Sequence, residues 1–223
     1  MGCDIHIVIQ REETPGNWRE IVYQTEPYGN KKPVDGFPVA PAPFMNRNYD
    51  LFGLLADVRN GSGFAGIVTG DGWSSIAPDR GLPEGFDEEA VAPDPTRPKG
   101  PRSLGDHSFT WVTLDELKAF PWDSTVTQLY GCVKASEYEA LVAVGETPTQ
   151  YSGGIFGPDT HVYSPHDYAL AKDFGELVKE PYVRMSWPET ARSATHDWPG
   201  TVIPWLDSLA EGRALRLILG FDS

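Results

Sequence analysis

Positive charge is scarce in this chain: 18 Lys+Arg stand against 32 Asp+Glu among 223 residues, a formal net charge of −14. Bulk nucleic-acid binding needs a basic face, so that class of partner is disfavoured. A small anionic ligand is not, because a few local arginines or a metal ion are enough to hold one. Cysteine is scarcer still. Cys3 and Cys132 are too few for a disulfide scaffold or a Cys-rich zinc site, and they suit a reducing cytoplasm. No apolar run approaches the roughly 18–20 residues of a membrane span. The start lacks the charged-then-apolar layout of a secretory leader. Met1-Gly2 opens like an acylation signal, but His6 stands where Ser or Thr is wanted. The expectation is a soluble, acidic, cytoplasmic protein with no membrane partner. The sequence leaves a homo-oligomer open.

What is present points to a folded α+β chain. Hydrophobic residues make up 40% and aromatics 12%, enough to fill a core, while 23 Gly and 20 Pro mark many turns. The opening run Cys3 to Gln10 predicts a strand, with a Pro-Gly-Asn turn leading into a second. Period two sets Cys3, Ile5, Ile7 and Ile9 on a core face and Asp4, His6 and Val8 on the other. Tyr49, Phe52, Leu55 and Ala56 share one helical stripe, with Asn48 or Asn46 placed to cap it and Gly61 just past its end. Residues 78–102 hold six prolines and several acids, and read as a loop insertion, either a lid or a surface excursion. Thr113 with Glu116 forms a capping box, and Ser136 with Glu139 repeats the signature. Ser164-Pro165 opens a further helix. Residues 180–187 read as a strand, 201–212 as a helix and 214–223 as a closing strand. The expected architecture is one α+β domain over 1–223, with a small mixed or antiparallel sheet that includes both terminal strands, several short helices and the Pro-rich loop.

Two clusters carry candidate chemistry. Asp4 and His6 project from one strand face, so a carboxylate and an imidazole can grip the same divalent cation, with Zn and Mn as candidates. Asp106-His107-Ser108 precedes Phe109, Trp111 and a capped helix, in what reads as a loop on a rigid scaffold. Asp106 and His107 are candidate third and fourth metal ligands. They are also candidate catalytic groups, imidazole being the side chain whose charge changes near neutral pH. The ordinary alternatives are a solvated strand face and a turn stabilised by Asp and Ser. Arg47, Asn48 and Tyr49 sit at the start of the first predicted helix and Arg59 at its end, where a phosphate or carboxylate would find donors. With Ser108 and Trp111 they make up the candidate ligand-binding set. Pairing of the arginines with surface acids is the competing reading. Cys3 makes a poor nucleophile, since strand alternation turns it away from His6. The chain lacks a phosphate-binding P-loop lysine, a G-x-G-x-x-G helix opening and a G-x-S-x-G elbow.

Met-Gly-Cys-Asp-Ile-His at 1–6, Arg-Asn-Tyr-Asp-Leu-Phe-x-x-Leu-Ala-Asp-Val-Arg-Asn at 47–60 and Gly-Asp-His-Ser-Phe-Thr-Trp-Val-Thr-Leu-Asp-Glu-Leu at 105–117 together resemble a group of phage and bacterial proteins that open with the same hexapeptide. The resemblance runs through most of the chain to Phe221-Asp222-Ser223. It implies a phage or mobile-element setting, in which small acidic proteins often counter host defence. The early Asp-x-His also resembles that of calcineurin-like metallophosphoesterases. The later Gly-Asn-His-Asp/Glu and Gly-His-x-His motifs are missing, so neither that fold nor its ligand set carries over.

The leading expectation is a metal-dependent hydrolase of a phosphodiester or nucleotide, with Asp4, His6, Asp106 and His107 around the cation and Arg47 on the substrate. A second is a nucleotide-sequestering protein without chemistry. A third is an acidic inhibitor of a protein partner. The first requires residues 4–6 and 105–108 to line one pocket.

Overall fold

A computed structural model describes residues 2–25, 32–77, 79–87, 91, 92, 95 and 103–222. Among them the strands are β1 Asp4–Thr14, β2 Asn17–Glu20, β3 His107–Thr113, β4 Val126–Lys134, β5 Thr160–Tyr163, β6 Glu180–Thr190 and β7 Leu215–Asp222. The α-helices are α1 Tyr49–Ala56, α2 Leu114–Ala119, α3 Ala135–Val144, α4 Pro165–Phe174, α5 Ala191–Ala194 and α6 Trp198–Ala210. The α+β class read from the sequence is the class observed. The chain gathers into two compact units. One comprises Met1–Asn60, Trp73–Thr125 and Thr190–Ser223; the other comprises Gly61–Gly72 and Val126–Glu189.

The first unit is built on a sheet of order β2–β1–β7–β3, every neighbouring pair antiparallel. The two terminal strands pair at its centre, as the sequence suggested. Alternation sets the faces: Ile5 lies opposite Phe221, Ile7 opposite Leu219 and Ile9 opposite Leu217. All six are buried. α1 covers this face through Phe52, whose ring centroid is 5.3 Å from that of Phe221. Asn48 starts the helix by accepting from the Leu51 amide, and Asp57 ends it in the left-handed region at φ 59°. The helix therefore stops at Ala56, well before Gly61.

The second face is closed by Val8, Ile218 and Leu104, packed with Phe86, Val91, Phe109 and Trp111. Beside them cations and rings alternate across the sheet. Arg216 lies 4.1 Å from the Trp18 centroid and 5.8 Å from that of Trp111, and Arg80 lies 4.7 Å from Trp111. Burial pushes the Arg216 guanidinium below its ordinary value. The Pro-rich stretch 78–102 lies partly outside the described residues. Its described part is fastened to this sheet through Arg80, Phe86 and Val91.

The Thr113–Glu116 capping box forms as read, and Arg80 adds two bonds to the same carboxylate, at 2.5 and 3.1 Å. Arg80 first, and the Thr113 donors after it, hold the Glu116 carboxyl down to about 2 against the opposing effect of burial. That is below the unfolded value near 4.3. On acidification the unfolded chain therefore binds this proton first. The contribution is complete above about pH 5 and disappears as pH falls through about 2. Glu116→Gln is expected to cost about 1–2 kcal/mol at pH 7, a figure discounted because a third of the side chain meets solvent. Urea unfolding of both forms should show that difference shrinking to near zero by about pH 2.

In the second unit the sheet order is β4–β6–β5, with β5 parallel to β6. Ala135, Tyr163, Tyr168 and Val183 form its cluster with Tyr138, Ala171 and Leu177 around them. Ser164 caps α4 with Pro165 behind it, as read. α3 begins one residue earlier than its apparent cap: Lys134 occupies the N-cap with no side-chain bond, so Ser136 lies inside the helix.

Candidate functional site

The path of residues 104–110 builds the site. Leu104 is buried on the second sheet face, and its carbonyl lies directly over Gly220. Gly105 then crosses the end of β7 at φ +88°, where a side chain would strike the Phe221 carbonyl. The Asp106 amide donates to that carbonyl at 2.7 Å. His107 enters β3 opposite Phe221 and Thr110 pairs with Leu219, so Ser108 and Phe109 both lie across from Gly220 alone. This is a β-bulge, a device that re-aims side chains at strand ends. Ser108 takes the strain of it at φ +56°. The sequence placed 106–108 in a loop; His107 and Ser108 are instead the first residues of an edge strand.

His107 stacks on the Phe221 ring at 6.3 Å and 22°. Its Nδ1 lies 2.9 Å from Ser108 Oγ, and its Nε2 lies 3.9 Å from Asp106 Oδ1. The two residues border a cleft of about 480 Å³, which Arg59, Ser75, Asp57, Asp79, Ala56 and Val58 also line. That size falls within the roughly 300–1,000 Å³ of small-molecule sites. Asn60 anchors the Arg59 side of the cleft. Its amide donates to Asp57 Oδ1 and the Trp73 carbonyl, both at 2.7 Å, and accepts from the Trp73 amide at 2.6 Å. Arg59 holds φ +54° and its guanidinium carbon lies 5.9 Å from the Tyr49 centroid. Cys3, 1% exposed, lies behind it. Burial pushes the Cys3 thiol up, while the neighbouring Arg59 pulls the other way.

The remaining candidates are engaged elsewhere. Asp4 and His6 share a face as expected, but Asp4 accepts two bonds from Arg47, each 2.8 Å, and His6 Nε2 lies 3.0 Å from Asp222 Oδ2. That contact is the main reason the Asp222 carboxyl sits below its ordinary value. Register separates the two clusters. His107 pairs with Phe221 on the face of Ile5, whereas Asp4 pairs with Asp222 on the opposite face. Asp4, His6 and His107 therefore do not line one pocket, and Asp106 lies beside His107. Among the described residues no group of three or more His, Cys, Asp or Glu side chains is arranged to hold a metal ion.

Arg47 is occupied with Asp4. Asn48 serves as helix cap and donates to the Ala194 carbonyl at 3.0 Å. Tyr49 packs edge-on against Phe52 at 5.7 Å, and Trp111 lies in the cation–ring stack of the second face. Of the predicted set, His107, Ser108 and Arg59 line the same cleft. Asp57, Ser75 and Asp79 were not among the expected site residues, although Asp57 falls inside the 47–60 motif. Asp222 had a signal: pairing the terminal strands antiparallel sets it across from Asp4. Comparison with protein-family models, curated proteins and solved structures returns no match. Among the described residues no helix is long and apolar enough to cross a membrane.

Proposed function

We propose that the protein binds a small phosphate-bearing ligand of nucleotide size in the Arg59–His107–Ser108 cleft. The observation that carries this reading is the convergence of an arginine, an imidazole and a hydroxyl on one cleft that Ala56, Val58 and Phe109 also line. Asp57 and Asp79 on the same rim suit hydroxyl or amino donors away from the phosphate, as a nucleoside presents. The net charge of −14 repels an anion at long range, but that repulsion is screened beyond about 8–10 Å, and a local arginine acts inside that distance. The reading keeps the small anionic ligand and leaves out the divalent cation, whose four expected ligands do not converge.

Calorimetric titration with inorganic phosphate and a panel of nucleoside mono- and diphosphates tests it. At least one nucleotide should bind, and Arg59→Ala should weaken it roughly ten- to a hundredfold, the value of a charge-assisted bond. A thermal melt of the variant checks the fold. Affinity indifferent to Arg59, or no binding across the panel, would overturn the assignment.

A further inference from the structure

We propose that Ser108 is the nucleophile of a phosphodiester hydrolysis in this cleft, with His107 as its general base. The inference rests on the reading of the cleft as a phosphate site and adds chemistry to it.

Four observations carry it. His107 Nδ1 and Ser108 Oγ are 2.9 Å apart, inside the range for direct proton transfer. The Asp106 carboxylate lies on the Nε2 side of the ring at 3.9 Å, beyond hydrogen-bond distance, so it biases the ring by charge alone and the tautomer with Nδ1 as acceptor is part of the proposal. The Phe221 ring, fully buried, holds the imidazole plane by stacking, so the base does not depend on the hydroxyl for its orientation. Finally, Ser108 is held in a left-handed backbone conformation at φ +56°, which costs a non-glycine residue of order 1 kcal/mol. That strain comes from the bulge, and the bulge brings the serine to the border of the Arg59 cleft instead of leaving it in register along the strand edge.

The reaction needs no further reagent than water. Ser108 Oγ attacks phosphorus as its proton passes to His107 Nδ1. The bond from phosphorus to the leaving alcohol breaks, and that oxygen takes the proton back from the imidazolium. The seryl phosphodiester is then attacked by a water that gives its proton to His107, and Ser108 Oγ departs with that proton. The sum is one diester and one water converted to one monoester and one alcohol. Arg59 on the same cleft offsets the charge that gathers on the phosphoryl oxygens.

The experiment is incubation of the whole chain with bis(p-nitrophenyl) phosphate, followed by absorbance and by mass spectrometry of the digested protein. The expected result is a burst of p-nitrophenolate and a p-nitrophenyl phosphate adduct on the peptide that contains Ser108. Ser108→Ala should lose both, and His107→Gln should slow them by roughly 10²–10⁴. No adduct, an adduct on another residue, or turnover that survives Ser108→Ala would overturn the proposal. Binding of AMP to Ser108→Ala separates the two levels of inference. Binding that is retained and still sensitive to Arg59, without any adduct in the parent, removes the nucleophile and keeps the phosphate site. No binding of AMP or of any other nucleotide in the panel to the parent protein removes both.

Discussion

Gly220→Ala is expected to be among the most damaging single-methyl changes in the protein, costing about 3 kcal/mol or more. Gly220 lies in the middle of the sheet opposite His6, and a β-carbon there would overlap the carbonyl oxygen of Leu104. That obstacle is backbone, not the tip of a flexible side chain. Relief therefore requires either β7 to leave its place between β1 and β3, or the 104–106 crossing to lift off the sheet. The second route pulls Leu104 from its cluster with Val8 and Ile218 and undoes the bulge that presents Ser108. Gly16→Ala is the comparison: φ is +78° but nothing lies within 4 Å of the added carbon, so only the backbone penalty of about 1 kcal/mol applies. Chemical unfolding should rank the two in that order. Equal midpoints would mean that the chain crossing does not bear on β7 as described.

Phe221→Ala should cost about 3–5 kcal/mol, the usual range for emptying a fully buried aromatic site. The ring is 0% exposed and contacts Phe52 edge-on at 5.3 Å. It also forms the stacking surface beneath His107, so the loss reaches the cleft. Phe221→Leu retains most of the volume, and its stability loss should stay near 1–1.5 kcal/mol. Because leucine offers no flat face to the imidazole, this variant should still lose nucleotide affinity or labelling of Ser108. Calorimetry on folded Phe221→Leu reads that difference. Unchanged affinity and labelling would show that the stack does not orient His107.

These expectations depend on features that the sequence exposed to different degrees. The alternation of Ile5, Ile7 and Ile9 marked a core face of β1, and the apolar run to Phe221 marked a closing strand, which proves buried on both faces; their pairing follows once both need the same core. Caps were legible where side chain and backbone act within three residues, as at Asn48, Thr113 and Ser164. They misled at Ser136, because the same signature fits a serine one turn position inside the helix. β3 was hidden: its bulge breaks the period at Ser108, and Asp106, His107 and Ser108 are turn-forming residue types. Three of the named candidates line one cleft. His107, Ser108 and Arg59 stood out by chemistry, but their separation from Asp4 and His6 depends on which face of β7 each pairs with. A register that differs by one residue inverts that answer, and periodicity along a single strand does not carry it. Arg47 shows the same boundary: a guanidinium beside a helix start has the same local sequence whether it meets a ligand or the carboxylate of Asp4.

The most direct test of the central claim is amide chemical-shift mapping of the whole chain titrated with AMP. Saturable shifts concentrated at residues 56–59, 75 and 107–110, and greatly reduced in Arg59→Ala, are the predicted result. Shifts confined to other regions, or none at saturating nucleotide, would contradict it.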